Sequence, residues 1–416
     1  MSAEDLTREL SRRAPGQWEL YRKTAESRET ESSRALSRAA WRREEGWAAR
    51  WWQSGAPRFA AATSPEGLAL ALDAAGRIAV AESPAPNWAP RTASAPEETP
   101  VATPPEVFDD LARAVATASR GEAVLGGLSL RSGRAQERIV NAAGLDVAQE
   151  HRTLDGVALC VGRRGSRRRE ARLAFRWDAG PDLDPLARRL ADAATLPLSD
   201  RPAPFASGQW LLDPAVGAAL LAAIAPLFLS DRPPRWVLRG QAASRLLCVA
   251  DDASRDAAFD GEGVPTRRTL LLEDGALVGR LLDLGAARRT GNPSTGNGVR
   301  PSFRLPPRAG PRRLFFETRT PSTPAALLAS VNRGLFASAL TAPVRVDVAA
   351  DRYEVEFTGV SVVAGRAGGP VAGARATGRL SELLRRVAGA STDTQFFPSP
   401  YPAGSPTLLV ERASFG

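Results

Sequence analysis

The sequence predicts an α+β protein, with a mixed α/β N-terminal half and a mainly antiparallel, barrel-like β C-terminal half. Capped helix starts alternate with period-two stretches in the first half. Short alternating runs, separated by Gly, Pro and Asp turns, dominate the last third. At 416 residues the chain also exceeds one compact core, so two or three domains are expected. The expected divisions are an N-terminal α/β domain at 1–81, a Pro-rich linker at 82–106, a central strand-meander and helix region at 107–200, and a C-terminal β-rich domain at 201–416.

Residues 2–13 read as a short amphipathic helix through Leu6 and Leu10, after which Trp18, Leu20 and Arg22 begin an alternating strand. The block from Gly46 to Thr63, with Trp47, Trp51, Trp52 and Phe59 around Ser54-Gly55, reads as a hairpin. Ser64-Pro65-Glu66 is a helix start, with a Ser cap, Pro in the first turn and an acid where the helix dipole favours one. That helix runs through Leu68, Leu72, Ala75 and Ile78. Seven prolines between Glu82 and Glu106 mark the linker. A second helix at Val107–Ala116, a meander of short strands from Ala123 to Trp177 and a helix near Asp184 follow. Arg201-Pro202-Ala203-Pro204 marks the main boundary, followed by a strand at Gln209–Leu212. Asp213-Pro214 opens an Ala/Leu-rich helix. Asp274-Gly275 between Arg268–Leu272 and Leu277–Leu282 is the strongest hairpin signal. Strands at Arg313–Thr318, Pro343–Val348, Tyr353–Val363 and Thr407–Arg412, with helices at Pro324–Asn332 and Leu380–Val387, complete the C-terminal part.

Hydrophobic residues at 43% and charged residues at 24% describe a globular rather than a disordered chain. No apolar run approaches the ~18–20 residues of a membrane span, and no signal peptide is visible at the N-terminus. Cys160 and Cys248 lie far apart in apolar runs, as buried free thiols would, so a cytoplasmic location is expected. The net charge of +9 raises nucleic-acid binding. Yet Lys23 is the only lysine, and the arginines are spread along the whole chain, a compositional bias rather than a binding arm. The densest cluster, Arg163 to Arg172, falls on a hairpin tip around Gly165-Ser166, where a solvated surface is the simpler reading. No aromatic interleaving or reader motif supports nucleic acid as a partner.

The chain has one histidine, His151, so a zinc site built from two or three histidines of one chain is excluded. His151 in Gln149-Glu150-His151-Arg152 reads as an ordinary hydrogen-bonded residue. No P-loop or dinucleotide fingerprint occurs. Asp251, Asp252, Asp256, Asp260 and Glu262 form an acidic cluster that could hold Mg²⁺ or Ca²⁺ through oxygen, although its spacing is not that of a calcium loop. Asp-Gly-Glu-Gly is ordinary turn chemistry, so structural turn residues are the first expectation there.

Two segments exceed what patterning explains: Phe259-Asp-Gly-Glu-Gly-Val-Pro-Thr-Arg-Arg-Thr269, and Gly291-Asn-Pro-Ser-Thr-Gly-Asn297 after a short helix with Ala287, Arg288 and Arg289. With the intervening hairpin and the ending Gly404-Ser-Pro-Thr-Leu-Leu-Val-Glu411, they resemble the TldD/PmbA family. The N-terminal order, with its hairpin and Ser64-Pro65 helix, resembles that family's first domain. The resemblance implies a heterodimeric zinc metallopeptidase that degrades unfolded proteins and trims leader peptides. It also implies that the catalytic subunit carries His-Glu-x-x-x-His on a helix, two zinc ligands and a general-base Glu.

Here the similar helix starts at Asp213-Pro214, and matching the register puts Ala222, Ala223 and Leu227 in place of His, Glu and His. The chain thus resembles the metal-free PmbA/TldE side. No catalytic residue and no metal ligand of its own are expected, and zinc is expected in a TldD-like partner subunit. Asp260, Glu262, Arg267, Arg268, Thr295 and Asn297 resemble positions found on both sides of the family. They become candidates for the fold, the subunit interface or a peptide channel. Gly261 and Gly263 suggest a tight turn with positive φ, and Arg267-Arg268 could clamp a carboxylate. A stand-alone peptide-binding homodimer without protease activity and a metal-dependent hydrolase using the acidic cluster remain the alternatives.

Overall fold

The computed structural model describes residues 1–76, 107–177, 182–198, 203–229, 233–238, 240–319, 321–398 and 401–416. Outside these residues lie the expected Pro-rich linker at 82–106, the helix end at Ile78, and Arg201 and Pro202 of the expected boundary.

Helix α1 (Ala3–Arg13) starts in a capping box: the Asp5 N–H donates to the Ser2 hydroxyl at 3.2 Å, and the Ser2 N–H donates to the Asp5 carboxylate at 2.7 Å. Strands β1 (Trp18–Ser32), β2 (Ser37–Gln53) and β3 (Ala56–Ala62) follow. Ser54 and Gly55 both take positive φ between β2 and β3, as a two-residue hairpin turn demands. Helix α2 (Pro65–Gly76) begins where the Gly67 N–H donates to the Ser64 hydroxyl at 3.1 Å. Helix α3 (Phe108–Ala118), strands β4 (Ala123–Asn141), β5 (Asp146–Arg164) and β6 (Arg167–Arg176), and helix α4 (Leu183–Thr195) complete this half.

The six strands form one antiparallel sheet in the order β3-β2-β1-β4-β5-β6. Because β1 pairs with β4, the segments on either side of residues 77–106 share a single sheet. Helices α1 and α2 cover one end of a face, over Trp18, Leu20, Trp47, Trp51, Leu68 and Leu72. Helices α3 and α4 cover the other end, over Leu111, Val115, Leu130, Phe175 and Leu190. The expected meander of short strands is corrected here, since β4 and β5 each run 19 residues. Their middle stretches are half-exposed and polar, so no apolar alternation announces their continuity.

The C-terminal half opens with β7 (Ser207–Leu212), α5 (Pro214–Ile224) and the short α6 (Arg235–Leu238). Then come β8 (Leu247–Asp252), β9 (Arg268–Glu273), β10 (Ala276–Leu277), α7 (Leu284–Thr290), β11 (Gly298–Val299), β12 (Arg308–Ala309) and β13 (Leu314–Thr318). After α8 (Pro324–Ala329) follow β14 (Arg333–Leu340), β15 (Arg345–Asp347), β16 (Arg352–Val363), β17 (Arg366–Gly378) and α9 (Leu380–Arg385). The chain ends with β18 (Val387–Ala390), β19 (Gln395–Phe397), β20 (Ala403–Ser405) and β21 (Leu408–Phe415).

Strands β14, β7, β21, β17 and β16 are successive neighbours, and β16 pairs back onto β14, which closes a barrel. Fully buried Trp210 sits among Tyr353, Phe357 and Phe415, with ring centroids 5.4 to 6.4 Å away. A second sheet, β10-β9-β8-β13-β20-β19, lies beside it. Pairing is mainly antiparallel, as expected, except that β7–β14 and β13–β20 are parallel. The Asp274-Gly275 turn forms with both residues at positive φ, but its second arm stops at Leu277 instead of Leu282. The Val278 and Gly279 N–H groups both turn to the Leu271 carbonyl, and the chain leaves the sheet. Among the described residues no helix is long and apolar enough to cross a membrane.

Candidate functional site

Helix α5 carries the positions where the family resemblance places a metal motif. Asp213 caps it, accepting the Ala215 N–H at 2.9 Å, and Pro214 follows in the first turn. The helix packs against β7 and β14 of the barrel and against β13 and β20 of the second sheet. It approaches β20 so closely that a Cβ at Gly217 would lie 2.2 Å from the Ser405 hydroxyl oxygen. After Ile224 the helix tightens into a 3₁₀ turn over Ala225–Phe228. Ala222 and Ala223 are half-buried, and Leu227 is buried in the barrel core beside Phe228 and Val237. The Ala222 carbonyl accepts the Ala225 N–H as the helix tightens, and the Tyr401 hydroxyl donates a second bond to it at 2.7 Å. A methyl group offers zinc no lone pair and an isobutyl group cannot move a proton, so these three positions do not fit the metal that the family motif would hold.

A polar cluster flanks this helix. Arg189 of α4 donates to Gln395 at 2.6 Å and lies 4.8 Å over the Phe397 ring. Burial pushes the Asp213 carboxyl up to about 6, against the pull of Arg189 and with help from Asp393 and Asp192. Burial likewise pushes Asp192 up to about 6. Asp393 is engaged elsewhere, accepting the Thr407 N–H and hydroxyl at 2.8 and 2.7 Å.

The six residues expected at a channel or interface divide into two groups. Asp260, Glu262, Thr295 and Asn297 are buried, which corrects the channel reading for them: side chains sealed inside the chain cannot line a channel. Asp260 accepts the N–H groups of Glu262, Val264 and Gly298 at 2.8, 3.0 and 2.7 Å. Thr295 accepts the Leu282 N–H at 2.8 Å, and Asn297 donates to Asp251 at 2.9 Å and to the Gly310 carbonyl at 3.2 Å. Asp251 also accepts the Arg312 and Arg313 N–H groups at 2.8 and 3.0 Å. Arg267 and Arg268 are exposed. Arg267 donates to the Ser294 carbonyl at 2.9 Å, and Arg268 pairs with Glu317, an internal carboxylate.

The acidic cluster is therefore a set of turn anchors. Asp252 caps the turn at Ala253 by accepting the Ser254 N–H, and Asp256 pairs with Arg313 at 3.1 Å. Among the described residues no three His, Cys, Asp or Glu side chains are arranged to hold a metal ion. Gly263 takes φ +79°, as expected, but Gly261 does not have positive φ. Gly261 is required by space instead, because a Cβ there would stand 2.7 Å from the Gly298 carbonyl oxygen.

Glu262 leads to residues that the sequence reading missed. Its carboxylate accepts the Leu284 N–H at 2.7 Å and pairs with Arg50 at 2.7 Å. Arg50, from β2, also holds Glu19 of β1 through two bonds of 3.1 and 2.8 Å. Arg300 pairs with Glu19, donates to the Gly261 carbonyl at 2.6 Å and stacks 4.4 Å over the Tyr21 ring. Burial raises the Glu262 and Asp260 carboxyls above the ordinary carboxylate range. A charge amid apolar strand residues, as in Trp18-Glu19-Leu20-Tyr21 or Ala49-Arg50-Trp51, was the available signal. Nearby, His151 spans from Glu137 to the Asp256 carbonyl, 3.1 Å on each side, and Gln149 accepts the Ala258 and Phe259 N–H groups.

Residues 211–416 match the family model of the PmbA/TldA metallopeptidase C-terminal domain. The chain belongs to the TldD/PmbA family. An uncharacterized protein of Methanocaldococcus jannaschii is 30% identical over 193 residues, which are 44% of this chain and 45% of that relative. The match thus spans less than half the length of the curated relative. TldE from Thermococcus kodakarensis superposes with a TM-score of 0.80 at 20% identity, over 99% of both chains. A protein from Thermotoga maritima described as a candidate modulator of a DNA gyrase gives 0.77 at 18%, over the whole of both chains. A similarly described protein from Bacteroides thetaiotaomicron gives 0.78 at 16%, over 100% of this chain and 98% of that one. At these identities the structural likeness is one of fold, and it extends over the N-terminal half of this TldD/PmbA protein as well.

Two measurements probe this region. Arg50→Ala removes the cation shared by Glu19 and Glu262, and it should lower the unfolding free energy by about 3–5 kcal/mol in denaturant titrations, as for a broken buried pair. The second concerns Asp213. Its folded carboxyl keeps a proton above the ordinary 3.8, up to about 6, so the folded state binds more protons in that window. Stability should fall as pH rises from 3.8 through about 6. Asp213→Asn, which retains a capping side chain, should remove part of that slope in urea midpoints measured across the same window.

Proposed function

We propose that this chain is the non-catalytic subunit of a two-chain zinc metallopeptidase that acts on unfolded proteins or leader peptides. The observation that carries the reading is the α5 segment itself: Ala222, Ala223 and Leu227 stand where the family motif places its donors, and Leu227 is buried in the barrel core. The likeness in fold to TldE supports the same side of the family. In this reading zinc and the general base belong to a TldD-like partner, and this chain completes the chamber around the peptide. Arg267 and Arg268 are the exposed two of the six shared positions. Each has an internal partner, the Ser294 carbonyl and Glu317, but their outer guanidinium edges face solvent, where the partner or the peptide would lie.

The test mixes the purified chain with a candidate zinc subunit and follows cleavage of an unfolded peptide together with co-elution. The mixture should cleave while each chain alone does little. An obligate contact should bury on the order of 2,000 Å² or more and survive size-exclusion chromatography. Equal cleavage with and without this chain, and no co-elution, would sink the proposal, as would a stoichiometric zinc ion in the chain purified alone. A companion variant carrying Ala222→His, Ala223→Glu and Leu227→His should gain no peptidase activity. It should lose roughly a few kcal/mol of stability, because the Leu227→His change places a polar ring in the core.

A further inference from the structure

His151, the only histidine of the chain, bridges the two halves of the molecule. It stands on β5 of the N-terminal sheet. Its Nε2 lies 3.1 Å from a carboxylate oxygen of Glu137 on β4, and its Nδ1 lies 3.1 Å from the Asp256 carbonyl oxygen of the C-terminal half. A neutral imidazole carries one N–H and one lone pair, so it can donate to only one of these oxygens. The partners decide which ring nitrogens donate.

A backbone carbonyl only accepts, which makes Nδ1 a donor. The other side is fixed through Gln149. The Ala258 and Phe259 N–H groups only donate, so the Gln149 side-chain oxygen accepts them, at 3.1 and 3.3 Å. Its amide nitrogen then donates to the Phe259 carbonyl at 3.0 Å and points at 3.4 Å to the same Glu137 oxygen that His151 reaches. The second Glu137 oxygen accepts the Tyr21 hydroxyl at 2.8 Å. Burial pushes the Glu137 carboxyl up, but His151, Lys23 and Tyr21 outweigh it and hold the group well below the ordinary range. Glu137 is thus an acceptor on both oxygens, Nε2 donates as well, and the ring between these acceptors is an imidazolium. The other charged groups nearby are committed elsewhere. Lys23 pairs across the strands with Glu137, and Arg300 and Arg312 act on the Tyr21 hydroxyl from the C-terminal half. Asp256 turns its own carboxylate to Arg313 at 3.1 Å. On β5 itself, Glu150 and Arg152 bond to each other from the opposite strand face. The His151 side chain is 20% exposed, so protons reach it from solvent without unfolding.

We propose that His151 is a proton-operated clasp between the N-terminal sheet and residues 256–259 of the C-terminal half. With its proton, the ring ties Glu137 to the Asp256 carbonyl. Without it, one ring nitrogen turns a lone pair toward an oxygen, and a bond becomes a repulsion. Residues 256–259 run directly into Asp260 and Glu262, and Glu262 docks on Arg50, so losing the bond loosens the approach of that turn to the sheet. The sign follows from the proton count. The clasp contributes to docking on the acid side of the ring's own titration and is lost as pH rises through it. The device lies on β5 and the 256–259 segment, so it is independent of the role proposed for α5.

The test uses the full chain labelled with ¹³C and ¹⁵N in histidine, whose single ring gives a single set of NMR signals. These signals give the ring's titration midpoint. Hydrogen–deuterium exchange of the peptide spanning residues 256–259, corrected for the intrinsic pH dependence of exchange, reads the docking. Protection there should fall roughly tenfold across the ring's midpoint, as for one lost charge-assisted bond. In Glu137→Gln the new amide can donate to Nε2 of a neutral ring, so protection should persist at high pH and the step should vanish. His151→Gln should also remove the step, leaving protection at the lower level throughout. A histidine that is merely packed would show no step in the native chain, and the native titration alone decides the matter if a variant does not fold. Protection unchanged across the midpoint, a ring that keeps its proton over the whole stable pH range, or a step that survives in either variant would each overturn the proposal.

Discussion

The ion network Glu19–Arg50–Glu262–Arg300 joins the two halves of the molecule. Glu19 and Arg50 come from adjacent strands of the N-terminal sheet, and Glu262 and Arg300 come from loops of the C-terminal half. All four side chains are nearly or wholly removed from solvent. Desolvating four charges costs several kcal/mol per ion, and their mutual attraction only roughly offsets this, so the network is a poor source of net stability. What it supplies is register. An apolar patch of Tyr21, Ala48, Ile139, Leu145, Val147, Phe259 and Phe303 could slide with small penalties, but buried ions displaced from their partners could not. The fit is close: a Cβ on Gly46 would fall 2.2 Å from the Phe303 ring, and one on Gly263 would fall 2.2 Å from Leu145.

That constraint gives the block from Phe259 to Asn297 a physical task. Asp260 folds its turn by accepting three backbone N–H groups, and the turn presents Glu262 to Arg50. The other Glu262 oxygen accepts the Leu284 N–H at the start of α7, and Thr295 ties the far end of the segment back to Leu282. The same block therefore closes on itself and docks onto the N-terminal sheet. Residue types usually associated with catalysis are here consumed by architecture, since a carboxylate already accepting two or three internal donors has little capacity left for substrate.

The elements legible in the sequence were those with local causes. Ser2, Ser64, Asp213 and Thr323 cap helices whose starts could be read, and Ser54-Gly55 and Asp274-Gly275 make turns because their backbone conformations demand those residues. Causes distant in sequence were not legible. Strand β17, rich in Gly and Ala, and β14 take their place from neighbours in the closed barrel rather than from alternation of their own. Residues 37–46 of β2 are polar on both faces and so resemble a loop until β1 pairs with them. For the site, the family block stood out by its residues, but its partners Glu19 and Arg50 lie more than 200 positions earlier. Each looked like an isolated charge in an apolar strand until the fold set it beside Glu262.

Helix α5 shows what small and apolar side chains at its C-terminal end allow the fold to do. A helix that holds zinc must keep donors facing an open position, so that stretch of its surface cannot be closed by packing. Ala222, Ala223 and Leu227 impose no such restriction, and Leu227 joins the barrel core with Phe228 while Tyr401 donates to the Ala222 carbonyl. Gly217 lets the helix settle against Ser405, and the 3₁₀ turn at Ala225–Phe228 directs the next residues into apolar surroundings. Placing metal ligands here would mean extracting Leu227 from a packed core and building a further ligand with supporting hydrogen bonds, changes that depend on one another. The apolar character of Ala222, Ala223 and Leu227 is thus bound into the packing of this chain.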